Sequence, residues 1–306
     1  MPASRLTSDT DPNDPYATRI NEVTDTIELE DGRTLAYCVF GDPDGEPLFV
    51  FHGGVGSRGF GLLFDEAATE AGIRIVSPDR PGYGRSDPQP ARGLLDWPDD
   101  VAVLARDLGH ERFCVLGVSG GGPYAAACAY ALPERLMSAG LISSVGPPDA
   151  TRNRGFGFIV WLARWFPWVA GIPIKRTLKR AQTDPTAATE ARANGKAEPE
   201  AAMHRGESGR RLHAQTAEAG RQGHQHAVRE MTLVGRSWGF NLSEIVVPTV
   251  VWHGRLDRTV PVGSAEYLAD VVPDAQLTIH DNVGHLSLPV KHATEILTDL
   301  TEIPPV

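Results

Sequence analysis

The sequence predicts an α/β fold: a mostly parallel, eight-stranded sheet flanked by helices, with one inserted helical segment. Three observations carry this expectation. Short apolar runs recur without alternation, helical patterns separate them, and the alternation stops over one long interval in the second half of the chain. Pro47 to Phe51, Ile73 to Ser77 and Phe113 to Val118 are such runs, dominated by Val, Ile, Leu or Phe at consecutive positions. A strand covered by helices on both faces has no polar side to present, so it reads this way. Where these runs alternate with helices, crossovers join parallel strands.

The elements follow in order. Thr26 to Glu30 and Thr34 to Phe40 flank Asp31-Gly32. That pair signals a hairpin, because glycine tolerates the positive φ of a primed turn, so two antiparallel strands open the sheet. Helices are expected over 59–71 and 96–108, a third from Tyr124 to Leu132, then a strand from Leu136 to Ser143. The pattern halts at Gly146-Pro147-Pro148 and resumes at Val247-Pro248. From there come a strand (Thr249 to Trp252), a helix (Ala265 to Val272), a strand (Gln276 to His280) and a helix (His292 to Thr301). The expected organisation is a disordered leader over 1–20, a core over 21–146 and 247–306, and a helical cap over 147–246.

The first part of the cap, Phe156 to Ile174, is aromatic and apolar, but Arg164 and Pro167 interrupt it. It falls short of the roughly 20 apolar residues that a membrane span needs. Trp161 and Trp165, with Phe156, Phe158, Phe166 and Trp168, read either as a hydrophobic roof over a binding site or as packing within the cap. The second part, Thr183 to Arg229, is rich in Ala, Glu and Arg and helical in character.

Composition excludes several classes. Lys plus Arg number 29 against 39 Asp plus Glu, for a net charge of -10, which argues against a nucleic-acid surface built on counterion release. The 41% apolar and 22% charged fractions are those of an ordinary globular chain. Cys38, Cys114 and Cys128 are odd in number, dispersed and outside any CxxC pair. Neither a disulfide framework nor a zinc site is expected, and a reducing, cytoplasmic compartment fits best. His224-Gln225-His226 lacks a third ligand at suitable spacing, so no metal or other cofactor is expected. The expected partner is a small-molecule substrate, with neither nucleic acid nor membrane involved. The sequence leaves the oligomeric state open, a homodimer included.

The residues that carry chemistry lie at strand ends. Ser119 stands in Gly117-Val118-Ser119-Gly120-Gly121, between an apolar run and a helix, the G-x-S-x-G pattern of a nucleophile held on a sharp strand-to-helix turn. A serine hydroxyl is a weak nucleophile until a base takes its proton. His285, just past the last strand in Asp281-Asn282-Val283-Gly284-His285, is the candidate base. Asp257, in the loop after Trp252 and His253, is the candidate acid that would orient the imidazole, with Asp270 and Asp281 as alternatives that would merely cap or salt-bridge. An oxyanion needs preorganised amides, for which Gly120 and Gly54 are the candidates. Gly53 and Gly54 belong to His52-Gly53-Gly54-Val55-Gly56-Ser57, where the missing side chains let substrate approach the backbone. That loop lacks the Gly-Lys-Ser/Thr ending of a P-loop.

Together these pieces resemble the α/β-hydrolase superfamily, in particular small capped members related to proline iminopeptidases, haloperoxidase-like esterases and epoxide hydrolases. The matching residues are His52-Gly53-Gly54, Asp79-Arg80-Pro81-Gly82-Tyr83-Gly84-Arg85-Ser86, Gly117 to Gly121, Asp257 and His285, and the likeness runs from about Thr26 onward. Within the superfamily, epoxide hydrolases and haloalkane dehalogenases use an aspartate nucleophile, so Ser119 speaks against both. Iminopeptidases have Pro after His-Gly-Gly and an Asp-Gln-Arg-Gly run, where this chain has Val55 and Asp79-Arg80-Pro81. The resemblance therefore implies hydrolysis of an ester, thioester or lactone of a small substrate through an acyl-enzyme on Ser119, and the aromatic first part of the cap makes an apolar substrate the expected one. Acyl transfer or cofactor-free perhydrolysis by the same residues, iminopeptidase-like amide hydrolysis, and ligand binding without catalysis are the alternatives. The Asp79 to Ser86 stretch is expected to be a Pro/Gly turn braced by Arg80 and Asp87.

Overall fold

The computed structural model describes residues 14–148 and 165–302. Its strands are β1 (Thr24–Glu28), β2 (Thr34–Gly41), β3 (Glu46–Phe51), β4 (Ile73–Pro78), β5 (Phe113–Val118), β6 (Leu136–Ile142), β7 (Thr249–Gly254) and β8 (Gln276–His280). They form one eight-stranded sheet in the order β1-β2-β4-β3-β5-β6-β7-β8. β2 runs antiparallel to both β1 and β4, and every other neighbour pair is parallel. The fold class is the expected one. Around the sheet lie α1 (Pro15–Glu22), α2 (Asp65–Glu70), α3 (Trp97–Asp107), α4 (Gly122–Ala131), α10 (Val262–Val271), α11 (Ser287–Lys291) and α12 (Ala293–Thr301). Between β6 and β7 the described chain is helical: α5 (Pro167–Thr183), α6 (Pro185–Ala193), α7 (Glu198–Arg205), α8 (Glu207–Ala219) and α9 (Gln225–Val234).

The consecutive apolar residues of β3 and β5 divide between two cores because successive side chains of a strand point to opposite faces. Phe49, Phe51 and Val115 join one core with Trp97, Val101 and Leu104 of α3. Leu48, Val50, Cys114 and Leu116 join the other with Ile296, Leu297 and Leu300 of α12. Strand order reverses at β3, from which the chain passes to β4 on one side and β5 on the other. Such a switch point opens a crevice at the carboxyl ends of the strands, where ligands bind in open α/β sheets.

Three expectations need correction. The hairpin between β1 and β2 is longer than a two-residue primed turn: Leu29 N donates to Arg33 O at 2.8 Å, and Gly32 takes a φ of 79° while Asp31 does not turn positive. Asp31 instead accepts from the Arg33 amide at 3.1 Å. The helix expected over 59–71 is split into a 3₁₀ turn, Arg58–Leu63, and α2. The leader expected over 1–20 ends in α1, whose Asp14 cap accepts from Tyr16 N at 2.9 Å and whose Ile20 is buried in the second core. No described helix is long and apolar enough to cross a membrane. Cys38, Cys114 and Cys128 are buried and unpaired with one another.

Candidate active site

Ser119 follows β5 directly and has a φ of 57°. A non-glycine residue in the left-handed region is strained and persists where surroundings hold it. What holds it is the tightness of the turn. A Cβ on Gly121 would fall 2.2 Å from Phe51 O, and one on Gly117 would fall 2.4 Å from Gly121 O, so β3, β5 and the start of α4 approach closer than side chains allow.

His285 and Asp257 come to Ser119 from the ends of β8 and β7. His285 Nε2 lies 2.9 Å from Ser119 Oγ, and its Nδ1 lies 2.6 Å from Asp257 Oδ2. A carboxylate can only accept, so Nδ1 carries the proton and leaves Nε2 free to accept from the serine. The other carboxylate oxygen of Asp257 accepts from Thr259 N at 2.7 Å and Val260 N at 2.9 Å. Burial pushes the Asp257 carboxyl up, but His285, the Val260 amide and His253 outweigh it and hold it below the usual aspartate value. The acid and base loops are zipped together, with Leu256 N donating to Val283 O at 3.0 Å. Asp281, an alternative acid, instead pairs with Arg255 on the surface.

The glycine loop after β3 lies alongside. A Cβ on Gly120 would sit 3.1 Å from Gly54 N, whereas one on Gly54 would meet nothing within 4 Å, so Gly54 borders open space. The carbonyls of this loop are fastened from behind by the Asp79 to Ser86 segment. Arg80 donates through Nη1 to His52 O and through Nη2 to Gly53 O at 3.0 Å, and Tyr83 OH donates to Gly54 O at 2.9 Å. Because C=O and N–H of a trans peptide point oppositely, tying Gly53 O to Arg80 turns the Gly54 N–H the other way. Gly120 lies in the first turn of the following helix, where amides have no acceptor within the helix. His52 is fully buried beside Arg80, and both effects hold its imidazole well below the ordinary value, hence neutral.

A cavity of about 560 Å³ opens on these residues. Gly53, Gly54, Ser119, Gly120 and His285 line it together with Phe60, Leu212 and Met231. Of the two tryptophans expected as substrate contacts, Trp161 lies outside the described residues, as do Phe156 and Phe158. Trp165 is 61% exposed and is not among the described lining residues. Phe166 and Trp168 are exposed as well. The described walls come instead from α5 to α9, including Thr177, Arg192, Glu200 and Glu230.

Two carboxylates from these helices have functions no motif announced. Glu200 of α7 accepts from Leu286 N at 3.0 Å and Ser287 N at 2.8 Å, so it grips the backbone directly after His285. Burial raises its pKa, but His204 and the Ser287 and Leu286 amides outweigh that and bring it to about 2. Glu230 of α9 accepts from Arg80 Nε at 2.7 Å, Arg92 Nη2 at 2.6 Å and Tyr124 OH at 2.8 Å. It thereby anchors the arginine that fastens the glycine loop. Arg80 is thus more than a brace of its own turn. Among the described residues, one group could hold a metal ion, His280, His292 and Glu295, and none of the three lines the cavity.

The Glu200 contact predicts an acid-labile increment of stability. In the unfolded chain a glutamate titrates near about 4.3. Its folded value is depressed, so the contribution is complete above that pH and fades as pH falls toward about 2. Its size is on the order of 3 kcal/mol. Wild type should therefore be more stable than Glu200→Gln to urea at pH 6, with the gap narrowing steadily toward pH 3. A gap independent of pH over that range would contradict this account.

The sheet and its crevice, with serine, histidine and aspartate hydrogen-bonded in sequence above the carboxyl ends of β5, β8 and β7, define a protein of the hydrolase-type α/β class. Residues 46–291 match the alpha/beta hydrolase fold family, and the chain belongs to it. An uncharacterized hydrolase of Bacillus subtilis is 36% identical over 117 residues, which cover 38% of this chain and 39% of that protein. A probable proline iminopeptidase of Streptomyces coelicolor is 33% identical over 147 residues, 44% of each chain. The chain thus spans less than half the length of either relative. An esterase from Rhodococcus sp. ECU1013 shares the fold with a TM-score of 0.64 at 21% identity, over 92% of this chain and 100% of that one.

Proposed function

We propose that this protein is a serine esterase that cleaves a carboxylic ester, thioester or lactone of a small substrate through an acyl-enzyme on Ser119. The observation that carries the proposal is the unbroken hydrogen-bond path from Ser119 Oγ through His285 to Asp257, opening on a cavity. In the proposed cycle His285 Nε2 takes the hydroxyl proton as Oγ attacks the acyl carbon. The Gly54 and Gly120 amides receive the oxyanion, and Asp257 stabilises the imidazolium. The tetrahedral adduct collapses by breaking the bond to the leaving oxygen or, in a thioester, sulfur, which takes the proton held on His285. Water, deprotonated by the same nitrogen, then attacks the acyl carbon; the bond to Ser119 Oγ breaks, the acid leaves, and the proton on His285 returns to Oγ. In this proposal the helical segment between β6 and β7 serves as the cap that closes the cavity.

A fluorophosphonate probe should label wild type at Ser119, and digestion of the labelled protein should place the adduct there. Folded protein that takes up no probe would overturn the proposal and leave ligand binding without catalysis. Incubating a 4-nitrophenyl ester with added methanol separates the destinations of the acyl group. Free acid as the main product supports hydrolysis, and methyl ester as the main product overturns it in favour of acyl transfer.

A further inference from the structure

Three buried arginines have carboxylate partners: Arg58 pairs with Asp79 and Glu218, while Arg80 and Arg92 share Glu230. Arg192, in α6, is partly buried and has no such partner among the described residues. Its Nη2 donates to Thr216 Oγ1 at 2.8 Å and its Nη1 to Leu212 O at 3.4 Å, both neutral acceptors, and it forms no ion pair with a described carboxylate. It lines the same cavity as Ser119 and His285. Burial acts on its charge unopposed and lowers its pKa to about 10, which still leaves it protonated at neutral pH. A partly desolvated cation held by neutral acceptors keeps an unmet demand for an anion, and its place in the cavity wall offers that demand to a ligand.

The other charges of the cavity point the same way. Glu200 and Glu230 also line it, but each is satisfied elsewhere, by the Leu286 and Ser287 amides and by Arg80 and Arg92 respectively. Lys196, the other cation in the wall, donates to the Thr259 hydroxyl at 3.1 Å, again without a described carboxylate. Thr216, which holds Arg192, also lies 3.5 Å from Val55 O, one residue after Gly54. The guanidinium is therefore separated from the loop beside Ser119 by the Thr216 side chain.

We propose that Arg192, with Lys196 in the same wall, receives a carboxylate borne by the substrate, so that the ester cleaved at Ser119 belongs to a molecule with a free acid group. A guanidinium offers paired N–H donors that match the two oxygens of a carboxylate. The inference rests on the esterase reading of Ser119, and its test separates the two.

Mono-4-nitrophenyl glutarate and its methyl ester place or mask a carboxylate on the acyl half, while 4-acetoxybenzoate and its methyl ester do so on the leaving half. In wild type the acid should exceed its neutral mate in kcat/KM for at least one pair. Arg192→Met should lower that acid-to-neutral ratio about tenfold or more, the effect of losing a charge-assisted contact, with Arg192→Lys in between. A ratio at or below one in both pairs, or one unmoved by Arg192→Met, overturns the inference while leaving the esterase intact. Binding supplies a readout free of turnover: glutarate should raise the thermal midpoint of Ser119→Ala and not that of Ser119→Ala/Arg192→Met. If no ester is hydrolysed and glutarate still discriminates these variants, the anion site stands and the esterase reading falls. Arg192→Met should also unfold at or above the wild-type midpoint; a clear drop would make Arg192 a structural tie between α6 and α8 and overturn the proposal.

Discussion

Ser119→Ala should lower kcat toward a 4-nitrophenyl ester by about 10⁴ to 10⁶ while the protein remains folded. The size of the loss follows from the role proposed for Oγ. It is the atom that becomes acylated, and no other described hydroxyl is hydrogen-bonded to His285. The amides of Gly54 and Gly120 would survive the change, so a residual rate above that of water is expected. Folding should survive because the hydrogen bond that Oγ makes among the described residues is to the His285 imidazole, and alanine keeps the Cβ that the site already accommodates. Ser119→Gly adds a second readout. Glycine adopts a φ of 57° without strain, so this variant should be more stable than Ser119→Ala by about 1 kcal/mol. Activity in Ser119→Ala above about 1% of wild type, after active-site titration excludes contamination, would remove Ser119 from the mechanism.

Glu230→Gln should destabilise the protein by about 3 to 5 kcal/mol, the usual cost of breaking a buried ion pair from one side. The side chain is 2% exposed and compensates two buried guanidiniums. Burial raises its pKa, and Arg80 and Arg92 more than reverse that, so it is the ionised form that the fold holds. Glutamine keeps the shape and removes the charge, leaving Arg80 and Arg92 as neighbouring cations out of water. Urea titration reads the stability directly. The variant should also turn over more slowly, because Arg80 holds the carbonyls of His52 and Gly53. Replacing Arg92 by Met in the Glu230→Gln background should recover part of the lost stability, since one of the two unpaired charges is then gone. Stability within about 1 kcal/mol of wild type would show that water or rearrangement compensates the arginines.

The centre of the sheet was legible because parallel strands buried on both faces leave dense apolar runs, as β3, β4 and β5 do. By contrast β1, with one apolar residue in Thr24–Glu28, was legible from the turn signal at Asp31-Gly32 and lies two residues before the stretch expected. Ser119, Asp257 and His285 were legible for a related reason. Each sits within a few residues of a strand's carboxyl end, so placing the strand places the residue. The helix expected over 59–71 failed on tertiary contact: Gly59 and Gly61 lie where a Cβ would meet Ile20 at 2.5 Å and Phe40 at 2.7 Å, which draws the chain into a tighter turn against the core. Trp165 misled because an aromatic run looks alike whether it faces a ligand or the outside. Glu200 and Glu230 left no signal, since single acidic residues in Ala- and Arg-rich helices are indistinguishable from solvated ones. What distinguishes Glu230 is an arginine 150 positions away, and no local pattern records such a partner.

Those two carboxylates change what the inserted segment is for an engineer. One grips the backbone after His285 and the other secures the arginine behind the glycine loop, so the helices reach both flanks of Ser119. Swapping them for the corresponding helices of another family member, in order to transplant its selectivity, would import a new surface while cutting both tethers. A functional chimera would have to carry Arg80, Arg92 and Tyr124 on the recipient together with acidic residues in register on the donor, which makes these helices part of how the site is held and not an interchangeable module.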